Sequence, residues 1–222
     1  IELREGQRNF VQGQGLGDVS EGLEEATWAP TPSLRHRNDD WVVLSTSDPG
    51  SDDAYVWGDE PNSHVSDELL LLKNSKDSKG PHRKSYLRFD LSRLSGKEVD
   101  TAELSLRFVP TGWGLASHLG DSEFEVFGIT ADEFDQWPVA PMTWETAPAN
   151  DLDNGTDLLP GSAVSLGKFK LPRGLQSGTF GIRGGKLAEF LNNDANRIAS
   201  LVVVRTTMEN RGGGLVHAFA SA

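Results

Sequence analysis

Arg83-Lys84-Ser85-Tyr86-Leu87-Arg88-Phe89-Asp90-Leu91 is the stretch that decides the fold. Leu87, Phe89 and Leu91 fall on one side of a period-two repeat, and Lys84, Tyr86, Arg88 and Asp90 fall on the other. That spacing is the signature of a strand with one face on a core and one face toward solvent. Working outward, Ala102, Leu104, Leu106 and Phe108 repeat the pattern, with Glu103, Ser105 and Arg107 on the opposite face. Similar runs at 41–45, 68–74, 123–129, 167–171, 178–183, 199–205 and 214–220 bring the predicted strands to nine. Helical spacing is confined to 186–192, where Leu187, Phe190 and Leu191 share a face, and to a turn at 132–137. The expected fold is all-β, a two-sheet antiparallel β-sandwich of jelly-roll type with one or two short helices. It is read as a single domain over 1–222, with an insertion or long loop at about 13–40, where Gly, Glu, Ser and Pro break any alternation.

Composition narrows the chemistry. No cysteine is present among the 222 residues, which removes disulfides, thiolate metal sites and thiol nucleophiles. The longest apolar run, 69–72, is a strand's worth and far short of a membrane span. Ile1-Glu2-Leu3-Arg4-Glu5 has neither the basic start nor the apolar centre of a signal peptide and reads as an opening strand of a domain cut from something larger. With a net charge of −12 the chain repels nucleic acid and anionic lipid, so neither a nucleic-acid nor a membrane partner is expected.

Charge is nevertheless segregated. Between positions 73 and 88 lie Lys73, Lys76, Lys79, Arg83, Lys84 and Arg88, opposed only by Asp77, a local +5 against −17 over the other 206 residues. On a hairpin these cations would converge beside Tyr86, whose ring suits the C–H face of a sugar. An acidic polymer would satisfy them with charge-assisted hydrogen bonds. The same residues also read as a solubilising, anti-aggregation device on a sheet edge.

Catalytic and metal-binding readings are thinner. None of the histidines at 36, 64, 82, 118 and 217 pairs within a hydrolase or zinc motif. A polysaccharide lyase needs a Tyr or His base beside a neutralising cation, and Tyr86 with His82 and Arg88 would serve formally. Asp151, Asp153, Asn154 and Asp157 place oxygens at alternate positions, as calcium loops do. The twelfth-position glutamate is missing, however, and Asn154-Gly155 equally marks a tight turn. Asp52 and Asp53 are a weaker metal candidate.

Ile1-Glu2-Leu3-Arg4-Glu5-Gly6, Asp53-Ala54-Tyr55-Val56, Leu71-Leu72-Lys73-Asn74, the 83–91 strand and Thr101-Ala102-Glu103-Leu104-Ser105-Leu106 together resemble the DNRLRE, or disaggregatase-related, domain. Val126-Phe127-Gly128-Ile129, Met142-Thr143-Trp144-Glu145-Thr146-Ala147-Pro148 and His217-Ala218-Phe219-Ala220-Ser221 continue the likeness in order. The resemblance implies a jelly-roll module of secreted bacterial or archaeal proteins, often beside polysaccharide-degrading modules. It also implies similarity to carbohydrate-binding modules for alginate, with the site at the lysine-rich hairpin. Trp137 and Trp144 fall in a packing element of that family and are expected in the core, as against Trp113 and the two together serving as a sugar platform. The chain departs from the family in its long 13–52 segment and in stopping at Ala222.

The function expected is therefore non-catalytic binding of an anionic polysaccharide, alginate-like or sulfated, by Lys73, Lys76, Lys79, Arg83, Lys84, Tyr86 and Arg88, in an extracellular protein. The alternative is a structural or adhesion domain whose hairpin lysines are only solvated.

Overall fold

A computed structural model describes residues 2–5, 41–65, 67–76, 81–110, 121–135, 137, 141–175, 177–209 and 216–221. The expected insertion at 13–40, together with Lys79 and Trp113, lies outside them. In chain order the strands are β1 (Glu2–Glu5), β2 (Trp41–Val43), β3 (Asp52–Trp57), β4 (Leu69–Leu72), β5 (Arg83–Asp90), β6 (Val99–Val109), β7 (Ser122–Ile129), β8 (Ala163–Leu171), β9 (Gly178–Gly184), β10 (Ile198–Arg205) and β11 (His217–Ala220). One helix, α1, spans Gly185–Asn193, and single 3₁₀ turns form at Ser92–Leu94 and Asp132–Phe134.

Two antiparallel sheets pack as a sandwich. One runs β3-β5-β10-β7-β8. The other is organised on the eleven-residue β6. Its partner β9 pairs with residues 102–108, while β1 and β11 share the opposite edge, the first near the start of β6 and the second near its end. Strands β2 and β4 extend those two short strands outward. Between the sheets lie Leu87, Phe89 and Leu91 as the alternation requires, with Leu104, Leu106, Phe124, Val126, Leu201, Val203 and Phe219. Phe124 stacks on Phe169 at 5.1 Å between ring centres and meets Phe219 edge-on at 5.7 Å. Leu187, Ala188 and Leu191 seat α1 on the same core. Its Phe190 ring lies over Gly128, where an added Cβ would sit 2.6 Å from a ring carbon. A glycine next to the end of β7 leaves room for the Phe190 ring of the helix.

The expectation that each sheet is polar on its outer face fails for the β3-β5-β10 sheet. The described residues between 130 and 162 fold back over that face and bury it. Ala54, Val56, Tyr86, Val202 and Val204 pack there against Trp137, Met142, Trp144, Ala147, Ala149 and Leu158. Sheet β3-β5-β10 is therefore covered on both faces, which explains the unbroken Leu201-Val202-Val203-Val204 run. Trp137 and Trp144 are core residues, as the resemblance implied. Strand β3, which period-two reading left out, holds the edge of the sheet beside β5.

Candidate functional site

The residues expected to form the basic face separate into three environments. Lys76 is exposed. Lys73 is buried, its Nζ 3.3 Å from Glu209 Oε2, so its charge is met from inside the fold. The same buried network holds Arg205. Its Nε donates to Thr207 O at 3.0 Å, its Nη2 donates to Asn74 O at 3.2 Å, and its Nη1 lies 3.1 Å from His217 Nδ1. Since arginine can only donate, His217 accepts there and is neutral at that nitrogen. Burial first, and then Arg205, pull His217 down to about 3.

Lys84 and Tyr86 do not face solvent; both are fully buried beneath the 130–162 segment. This corrects the outward orientation that strict alternation assigned them. The Lys84 ammonium donates to Asn150 Oδ1 at 2.8 Å, to Asp157 O at 2.5 Å and to Asp151 O at 3.4 Å. It also lies 4.9 Å from the centre of the Trp144 ring. Burial lowers its proton affinity to about 7, with the carboxylates of Asp151 and Asp157 opposing the shift. Tyr86 meets Trp137 edge-on, and its phenol is pushed up by burial. Arg88 is half-buried on the same face. It donates from Nη1 to Trp137 O at 2.7 Å, stacks 4.9 Å over that indole and has Nη2 3.9 Å from Asp52.

The 151–157 loop is closed on itself and on Lys84. Asn154 Oδ1 accepts from the Thr156 and Asp157 backbone amides and from the Thr156 hydroxyl, and Asn154 Nδ2 donates to Asp157 Oδ2 at 2.7 Å. Asp151 Oδ1 accepts from the Asp153 amide. Among the described residues no group of three or more acidic or histidine side chains is gathered to hold a metal ion, and the cation in this loop is the lysine ammonium. Gly155 touches His82, where an added Cβ would fall 1.9 Å from Nδ1. His82 is itself buried and accepts from the Ser75 amide at 3.1 Å. Of the formal lyase set, Tyr86 and His82 are therefore under cover, and Arg88 is half-buried and bonded to the Trp137 carbonyl.

Arg83 is different. It pairs with Trp57 across β3 and β5 and with Lys73 at the root of the hairpin. Its guanidinium lies 3.8 Å over the Trp57 ring, yet Nε and Nη1 have no hydrogen-bond partner among the described residues. Trp57 Nε1 and His64 Nε2 are likewise buried and without one. His64 stacks on Tyr55 at 4.2 Å and lies 6.3 Å from Trp57, and its Nδ1 is 2.9 Å from Asp67 Oδ2. The Tyr55 hydroxyl also bonds Asp67, and burial holds its phenol above the ordinary value. Trp57 did not enter the sequence reading, and His64 entered it only as a histidine outside any catalytic or zinc motif. The signal for them was available in Tyr55-Val56-Trp57, two aromatics two apart on one face of β3.

A groove of about 650 Å³ lies on the outer side of the covering segment, among Phe134, Trp137 and Leu152. Glu133, Glu145, Asp151 and Asp153 line it, so it is the wrong sign for an anionic polymer.

The sequence model of Carbohydrate-binding module family 96 matches residues 45–158, just over half of the chain. The chain belongs to that family. No curated protein matches it. The family 96 match takes in β3 to β7, most of the covering segment and every position of the 73–88 window. It bears out the carbohydrate-binding part of the resemblance and places the chain among binding modules rather than catalytic domains. It names neither a disaggregatase-related domain nor a ligand.

Proposed function

We propose that this family 96 module binds an acidic polysaccharide at the root of the 73–83 hairpin without acting on it. In doing so it would hold an attached enzyme or surface protein to an extracellular polymer. The observation that carries the reading is Arg83. It is fixed on Trp57 yet left with guanidinium nitrogens unpartnered among the described residues, on the same hairpin as the exposed Lys76. A stacked guanidinium keeps its donors fixed in a plane, which suits a carboxylate better than a mobile lysine does.

One observation favours the structural or adhesion reading: Lys73, Lys84 and Arg88 are all answered from within the fold. Affinity electrophoresis against alginate, fucoidan, ulvan and neutral glucans separates the two. Retardation by at least one acidic polymer and by no neutral glucan is expected. Unaltered migration in all of them makes the structural reading the better one.

A further inference from the structure

Leu152 and Leu159 keep 50% and 45% of their surface exposed, and both open into the groove of about 650 Å³ on the outer side of the covering segment. A single exposed leucine is ordinary, whereas two in one concavity make an apolar floor that a ligand can cover. Glu133, Glu145, Asp151 and Asp153 stand around that floor, and no described lysine or arginine lines the groove. Glu133, Glu145 and Asp153 are exposed and have no ion-pair partner among the described residues. Lys84 acts on Asp151 only from beneath, its ammonium held by Asn150 and the Asp157 carbonyl.

The walls are fixed before any ligand arrives. Lys84 ties down the Asn150 side chain and two loop carbonyls, and the Trp144 indole donates to Leu152 O at 3.2 Å. Ala149 sits at a φ of 55°, where a side chain is uncommon, and its carbonyl accepts from the Leu159 amide at 2.8 Å. That bond joins the two stretches of chain that carry the leucines. A surface held in this way loses little freedom when it is filled.

The lining restricts what can fill it. Carboxylates only accept hydrogen bonds, so a ligand must bring donors, and four of them around one groove favour a cation. The leucines ask in addition for C–H surface. A hexosamine with a free amine supplies all three, in its ammonium, its hydroxyls and the C–H face of its ring. Carbohydrate is also the ligand class of the family. The −17 carried outside the 73–88 window attracts such a polymer from a distance.

We propose that this groove binds a short stretch of a polysaccharide bearing free amino groups. Its ammonium groups meet Glu133, Glu145 and Asp153, and its ring faces lie on Leu152 and Leu159. The site is separate from the hairpin, so it does not depend on the acidic-polysaccharide reading, and the electrophoresis against acidic polymers decides nothing about it.

The test is calorimetric titration of the module with a glucosamine tetrasaccharide at mildly acidic pH, where its amines are protonated. Its fully N-acetylated counterpart and a lysine–leucine tetrapeptide amide are titrated beside it, and nitrogen–proton NMR follows the Leu152 and Asp153 amides. The free-amine sugar should bind and move both signals, and the acetylated sugar should not bind. Leu152→Ser removes apolar surface without altering charge and should weaken binding about threefold or more. Glu145→Gln combined with Asp153→Asn should weaken it about fivefold or more. Glu98→Gln combined with Asp100→Asn removes two exposed acids outside the groove and should change it less than about twofold. All five positions are exposed, so thermal melts of the variants should stay near that of the wild type. Equal losses from the two acid pairs would reduce the interaction to diffuse attraction and overturn the site. Equal binding of the acetylated sugar, or no binding of the free-amine sugar, would overturn it as well. Tighter binding of the peptide at the same two amides would make the groove a protein-docking surface instead.

Discussion

Lys84 offers the sharpest measurement, because an outward-facing lysine and a buried one differ by several-fold in what their removal costs. Replacing a solvent-facing lysine by alanine changes stability by less than about 0.5 kcal/mol. In the structure Lys84→Ala leaves Asn150 Oδ1 and the carbonyls of Asp151 and Asp157 without their donor beneath the 130–162 segment. An unsatisfied buried acceptor costs about 1–3 kcal/mol. The two carbonyls are near the loop surface and regain water, and the ammonium's own desolvation is relieved, so a net loss of about 3 kcal/mol is expected. Lys84→Met retains the stem and isolates the polar part. Urea unfolding followed by tryptophan fluorescence reads both variants, and a loss below about 1 kcal/mol in each would refute the pinning role. The pH dependence gives an independent check. Burial brings Lys84 to about 7 from its ordinary 10.5, so between those values the unfolded chain binds more protons. Wild-type stability therefore gains from this residue as pH rises above 7, and Lys84→Met lacks that gain. Measurement from pH 7 to 9 stays below the range in which the tyrosines raised by burial, Tyr55 and Tyr86, act in the opposite direction.

Phe89→Ala, deep between the sheets, should cost roughly 3–5 kcal/mol by the same unfolding assay, and a loss below about 1 kcal/mol would mean the core is not packed as described. His217 is lowered to about 3 from 6.5, so the unfolded chain binds the extra proton between those values. Stability should fall as pH drops below 6.5, less so in His217→Gln, and parallel pH profiles of the two proteins would contradict the buried Arg205–His217 contact. Asp135 is raised by burial to about 6, so its ionisation works against the fold at neutral pH. Asp135→Asn should therefore raise stability at pH 7, by about 1 kcal/mol, and lose that advantage below pH 4, which a pair of thermal melts would read.

The inter-sheet core was legible because Leu87, Phe89 and Leu91 obey a period of two, and because Leu104, Leu106 and Phe108 repeat it on β6. The second buried face was legible too, though only in β10. There Leu201-Val202-Val203-Val204 leaves no polar side for solvent, and a strand of that kind demands cover on both faces. Its neighbour β5 conceals the same fact. Lys84 and Arg88 look like an outer face while their polar ends are met by Asn150, by the Asp157 carbonyl and by the Trp137 carbonyl, far along the chain. Period alone cannot distinguish a solvated lysine from one whose acceptors arrive from sixty-six residues away.

A charge count over positions 73–88 tallies cations and not their partners. Lys73 is met by Glu209 and Arg88 by Asp52, while Lys84 lies in the field of Asp151 and Asp157, and none of these acids belongs to the window. The field a ligand meets at the hairpin is therefore much weaker than +5. On the acidic-polysaccharide reading proposed above, the binding free energy would come from a few fixed donors rather than from a diffuse positive surface. On that reading the geometry around Arg83 and Trp57 outweighs the number of lysines. Loss of Lys73 or Lys84 therefore acts first on the fold, where each is engaged from within.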